Sequence, residues 1–219
     1  LAAALLATAC ASSPTPPATS LDIIRRDWYY VPGPYATVQR TEAGTRTARV
    51  SAEVDNTWTV TIGDPPTTIV VTRLPDGRPA TARIANPDRD ETAVFDPPLA
   101  LVPADEPIET TTVTLYSGLH PDADLSGTRA KRSGQAERRF LEIEDTTWTF
   151  EGKTYPAQRL THEFVLSLSP ATVRQTYDSL AVDNMGIVME TMSERLTVLG
   201  VRIGGRDEST EIVEFIDER

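Results

Sequence analysis

Cysteine, histidine and lysine are the scarce letters of this chain. Cys10 is the single cysteine among 219 residues, so no intramolecular disulfide, redox dithiol or cysteine-rich zinc site can form within one copy. Only His120 and His162 are histidines, and no G-x-S-x-G elbow accompanies them, which leaves little for a serine hydrolase to work with. Positive charge is short as well: 21 lysine and arginine residues face 32 aspartate and glutamate residues, for a formal net charge of −11. That balance repels phosphate backbones, so no nucleic-acid partner is expected. The densest basic group, Arg129, Lys131, Arg132, Arg138 and Arg139, is broken by Ser133 and Gly134 and reads as a solvated loop face. No glycine-rich phosphate cradle occurs, and no cofactor is expected.

What is present begins at the N-terminus. "LAAALLATAC" is an apolar run that ends in the small residues Ala7, Thr8 and Ala9 immediately before Cys10, the pattern an exported precursor needs at its cleavage site. With cysteine at the first mature position, the stretch resembles the lipobox of bacterial lipoproteins. The resemblance implies a diacylglycerol on Cys10 Sγ and residues 1–10 as a signal remnant, and the absence of aspartate at Ala11 implies an outer-membrane protein facing the periplasm or the cell surface. Each buried methylene contributes about 0.8 kcal/mol, so two or three acyl chains form a durable membrane anchor. The chain starts at Leu1 without methionine or a basic stretch and reads as a truncated precursor. Residues 11–20, "ASSPTPPATS", cannot bury enough apolar surface to order themselves and read as a tether.

From residue 21 onward, threonine, valine, isoleucine and aromatic residues alternate with period two. Eleven stretches read as strands, among them "TWTVTI" (57–62), "ETTTVTLY" (109–116), "QRLTHEFVLSL" (158–168) and "EIVEFI" (211–216). Pro75-Asp76-Gly77, Gly152-Lys153 and Gly204-Gly205 supply turns. The expected fold is therefore mainly β over 21–219: a curved antiparallel meander, half-open barrel or sandwich-like, with at most one or two short helices. One helix is expected after Ser169-Pro170, where Val173, Tyr177, Leu180 and Ala181 recur at helical spacing. "DIIRRDWYY" (22–30) reads as either a short helix or a first strand. "FDPPLALVPADEP" (95–107) is too proline-rich for a sheet centre and is expected to cross along an edge, where two β halves would meet. "DNTWTV" (55–60) and "DTTWTF" (145–150) echo one another ahead of Gly63 and Gly152. Either a duplicated meander or two strands that each cover the core with a tryptophan explains the echo, and both indoles should be largely buried.

"TWTFEGKTYPAQRLTHE" (147–163), "YDSLAVDNMGIVMETMSERLTVLG" (177–200) and "VFDPPLALVP" (94–103) resemble an uncharacterised class of bacterial envelope lipoproteins. By that resemblance the body is similar to the half-open sheets of periplasmic lipoprotein carriers, whose concave face holds acyl chains, and it implies no catalysis. The expected function is a lipid-anchored, non-catalytic binding or lipophilic-ligand carrier module, held to the membrane through Cys10. In that case the apolar residues of 158–168 and 186–201 should line an open concavity. An assembly subunit offering a sheet edge to an envelope protein partner is the alternative. An enzyme would need His120 or His162 to meet carboxylates in a cleft. His162-Glu163 imitates half of a zincin motif, but Leu166 stands where the second histidine belongs. Asp122 and Asp124, with Ser126 and Gly127, open like a calcium loop, yet Ser133 occupies the twelfth position and cannot supply the bidentate carboxylate.

Overall fold

A computed structural model describes residues 25, 28–120, 125 and 128–217. Cys10, the tether 11–20, Asp122 and Asp124 lie outside the described residues. Twelve strands follow one another: β1 Tyr35–Thr41, β2 Gly44–Val50, β3 Thr57–Ile62, β4 Thr67–Arg73, β5 Pro79–Asn86, β6 Glu91–Ala100, β7 Ile108–Ser117, β8 Ala130–Phe150, β9 Lys153–Leu168, β10 Ala171–Val182, β11 Gly186–Val198 and β12 Val201–Asp217. Each pairs antiparallel with the next, and β1 pairs with β12, which closes an up-and-down barrel. The mainly β expectation holds. Closure removes the free sheet edge that the assembly alternative relied on, because every ladder now has a partner.

Several local expectations change. The helix expected after Ser169-Pro170 is strand β10, bonded to β9 and β11 along its length. Thr172, Val173, Thr176 and Tyr177 suit a pleated surface, and ladders on both sides outweigh a weak helical period. The basic stretch expected as a loop is the start of β8, where Arg138 turns inward and becomes buried while Lys131, Arg132 and Arg139 stay exposed. Gly204-Gly205 lies within β12, and the reversal falls at Leu199–Gly200 instead. Gly205 is there for closeness: a Cβ would come within 2.3 Å of the Glu194 carbonyl.

Residues 95–107 do not cross along an edge. Strand β6 runs through Pro97 and Pro98, and the prolines are tolerated because pairing with β7 ends at Asp96 and the register with β5 slips between Thr81 and Arg83. Beyond it, Leu101, Val102 and Pro103 fold back and are buried. Arg78 holds this loop, donating to the Val102 carbonyl at 3.1 Å while ion-pairing with Asp76 at 2.6 Å and with Glu109. From the other side, residues 28–30 enter the same end as a short turn. Trp28 and Tyr29 pack with Val102, Phe140, Ile143, Leu160 and Ala181, and the Tyr29 hydroxyl donates to the Gln158 carbonyl at 3.0 Å. One end of the barrel is thereby filled.

Both echoed tryptophans are buried, Trp58 against Val50, Val71 and Leu101 and Trp148 against Ala157, Leu180 and Ile212. On the outer face, Arg159 pairs with Asp178 at 3.4 Å and Arg174 with Glu163 at 3.0 Å. Strand β8 approaches β9 through Gly134, whose Cβ, if present, would lie 2.0 Å from the Ser167 carbonyl. Gly134→Ala should therefore cost about 1–3 kcal/mol through forced separation of the strands. A thermal melt checks this, and an unchanged midpoint would contradict so close an approach.

Candidate functional site

The filled end does not extend through the barrel. Above Tyr30 lies a chamber of about 250 Å³. It is walled on one side by apolar side chains of β2 to β5, including Val50, Val60, Ile62, Ile69, Val71 and Ile84, with Leu101 of the β6–β7 loop. The opposite wall carries a polar stripe across adjacent strands: Arg138 of β8, His162 of β9, Tyr177 of β10 and Glu190 of β11. Register creates the stripe. Phe140 stands opposite His162, so Arg138 is one inward step away; His162 stands opposite Tyr177; Ser179, the next inward residue of β10, stands opposite Glu190; and Glu190 stands opposite Thr210.

The chamber widens into a vestibule of about 1020 Å³ at the end away from Trp28. The turns joining β1 to β2 and β3 to β4 contribute Glu42, Gly44, Asp64 and Pro65 to its rim. Arg46, Ile62, Ile69, Tyr177, Glu190 and Thr210 line both spaces, so they form one shaft. Partial accessibility of Tyr177 and Glu190, both deep between strands, is surface turned toward this shaft.

Most polar groups along the shaft are paired. Arg46 donates to Glu208 at 2.7 Å, to Gln39 at 3.0 Å and to Thr210 at 3.0 Å. The Tyr177 hydroxyl donates to Gln175 at 2.8 Å, and Gln175 in turn donates to Glu194 at 2.7 Å. Ser179 donates to Glu190 at 2.8 Å. Two groups are not satisfied. Arg138 is 8% exposed and donates from Nη1 to the Ala100 carbonyl at 2.6 Å, but its Nε has no partner and it joins no ion pair among the described residues. His162 is 3% exposed, stacks on Tyr177 with ring centroids 4.9 Å apart, and leaves Nδ1 without a partner. Buried polar atoms in native proteins nearly always find partners, so two orphans on one cavity wall mark it.

Burial sets the protonation states. It lowers the Arg138 guanidinium somewhat, and arginine remains charged at any ordinary pH. His162 lies well below its usual range, through burial first and nearby Arg138 second, so it is neutral. Burial raises Glu190 against the opposing hydrogen bond from Ser179, raises Tyr30 and Tyr177, and pushes Tyr35 up to about 12.

No family model and no curated protein matches the sequence. Among solved structures, a Bacteroides fragilis protein described as exported and as having a YmcC-like fold is similar, at 11% identity and a TM-score of 0.43 over 85% of this chain and 98% of that one. A likeness that distant transfers neither fold detail nor function.

Of the residues singled out in the sequence, His162 reaches the chamber and His120 does not. His120 lies outside it after β7, with Nε2 3.0 Å from the Ser117 carbonyl. Glu163 faces outward to Arg174, so the half zincin motif is split across the wall. The concavity expected from 158–168 and 186–201 exists: 186–201 supplies Ile187, Val188 and Met189 as expected, 158–168 supplies only His162, and most of the greasy wall comes from β2 to β5. Arg138 was missed. Its neighbours Ala136 and Phe140 are apolar at the same parity, a signal that it points inward.

His162 also predicts an acid response. In the unfolded chain its pKa is about 6.5 and in the barrel it is lower, so the unfolded state takes the proton first and stability falls as pH drops below about 6.5. Glu190, raised in the barrel, acts oppositely over the range above its usual value. His162→Phe keeps the stack on Tyr177 and removes the first effect. Denaturant midpoints compared at about pH 7.5 and about pH 5 should fall less in the variant than in wild type; equal falls would contradict a buried neutral His162.

Proposed function

We propose that this protein is a lipid-anchored cell-envelope binding module that holds a small lipophilic ligand inside its barrel. The observation that carries the reading is a shaft closed at one end by Trp28, Tyr29 and Val102 and open at the other, with an apolar wall on β2–β5 and, opposite it, a polar stripe set among Ile187, Val188, Met189 and Ile212. Such a concave, mostly apolar space with a few convergent polar groups is the usual form of a small-molecule site. The lipobox-like "LATAC" ending at Cys10 supports the anchor, and the outer-face ion pairs Arg159–Asp178 and Arg174–Glu163 fit a body with charged groups in water beside the bilayer.

A second reading, an assembly subunit, is favoured by one feature. Leu199, Val201 and Ile203 are exposed together at the β11–β12 reversal, offering an apolar tip to another envelope protein. Mass spectrometry of protein extracted from membranes tests both. The binding reading expects acylated Cys10 and a co-purifying small lipophile released on denaturation. An unmodified Cys10 would remove the anchor, and a cross-linked partner with an empty shaft would favour the assembly reading.

A further inference from the structure

Resting on the reading of the shaft as a ligand site, we infer that the ligand is an amphipathic acid, whose carboxylate docks on Arg138 while its hydrocarbon lies against the β2–β5 wall. A guanidinium is a donor only, and a buried one without a carboxylate is an incomplete pair. Arg138 lines the chamber, makes one hydrogen bond, to the Ala100 carbonyl, faces the Phe164 ring at 5.7 Å, and leaves Nε buried without a partner. The carboxylates that act on Arg138 are otherwise engaged: Glu190 accepts from Ser179, and Glu109 is paired with Arg78. His162 and Tyr177 stand beside it and stay neutral, so they can donate to or accept from a head group without competing for its charge. Across the chamber, Val50, Val60, Ile69 and Val71 present a surface that only an apolar body satisfies.

The vestibule sharpens the inference rather than supporting free entry. Glu42, Asp64, Asp88 and Asp207 line it against Arg46 and Arg206, so an anion meets a repulsive rim before it reaches Arg138. Rim charges are screened by salt while a buried contact is screened much less. Added salt should therefore speed association of an acid and leave its dissociation nearly unchanged.

Titration calorimetry of the full chain with sodium decanoate and with decanol separates the possibilities. Decanoate should bind at least about tenfold more tightly, the scale of a charge-assisted hydrogen bond. Arg138→Met should erase the difference, and Arg138→Lys, which keeps the charge but loses the planar fork, should retain part of it. Equal affinities in wild type, or a preference that survives Arg138→Met, would overturn the acid head group and leave the lipophilic site standing. Failure of both probes to bind would overturn the site itself. Should the methionine variant not fold, the wild-type contrast and the lysine variant decide.

Discussion

Arg138→Met should make the ligand-free barrel more stable, by about 1–2 kcal/mol, with a midpoint raised by roughly 2–8 °C. Arginine in that position keeps a charge out of water with one carbonyl hydrogen bond, the Phe164 ring at 5.7 Å and a buried, unpartnered Nε. Replacement of buried ionic groups by hydrophobic side chains of similar size is often neutral or stabilising by about 1–4 kcal/mol. Loss of the bond to the Ala100 carbonyl offsets part of that gain, which sets the lower figure. A residue retained for packing or for a structural ion pair would behave the other way, and substitution would destabilise. Thermal unfolding of ligand-free wild type and variant distinguishes them. A gain in stability together with lost decanoate preference is the behaviour of a binding residue held at the expense of the fold.

Trp58→Ala should have the largest effect on stability. Trp58 is 1% exposed and packs with Val50, Val71 and Leu101, while the Arg73 guanidinium sits 5.2 Å from its ring centroid and is itself held by Glu53. Truncation of a buried tryptophan costs about 3–5 kcal/mol, a fall of about 6–20 °C in a domain of this size. Trp58→Phe should lose clearly less, because the indole Nε1 has no partner to forfeit. Since Val50, Val71 and Leu101 also wall the chamber, the alanine variant should loosen ligand binding as well as the fold. A midpoint within about 2 °C of wild type would show that this side of the barrel is not close-packed.

How far the fold was legible follows from where period two was clean. "TWTVTI" and "EIVEFI" match strands β3 and the end of β12, and the Pro75-Asp76-Gly77 and Gly152-Lys153 turns fall where expected. Strand β1, "YATVQRT", escaped notice because it follows Pro32 and Pro34 and carries Gln39 and Arg40. Closure was not legible at all. It depends on β1 meeting β12, a pairing between opposite ends of the chain that no local pattern encodes. The chamber shares that limit. Arg138, His162, Tyr177 and Glu190 are spread over four strands, and only the ladder registers bring them to one wall. Arg138 misled for a physical reason: charged neighbours at Arg132 and Arg139 suggest solvent, whereas Ala136 and Phe140 carry the parity that decides direction.

The claim on which the rest depends is that the barrel is hollow beside Arg138 and takes a small acid there. Anomalous diffraction from crystals soaked in 10-bromodecanoate tests it directly. A single bromine peak inside the shaft, with the carboxylate on Arg138, is the expected result. Bromine only at the outer surface, such as the Leu199 to Ile203 tip, or side chains filling the chamber in the crystal, would contradict it.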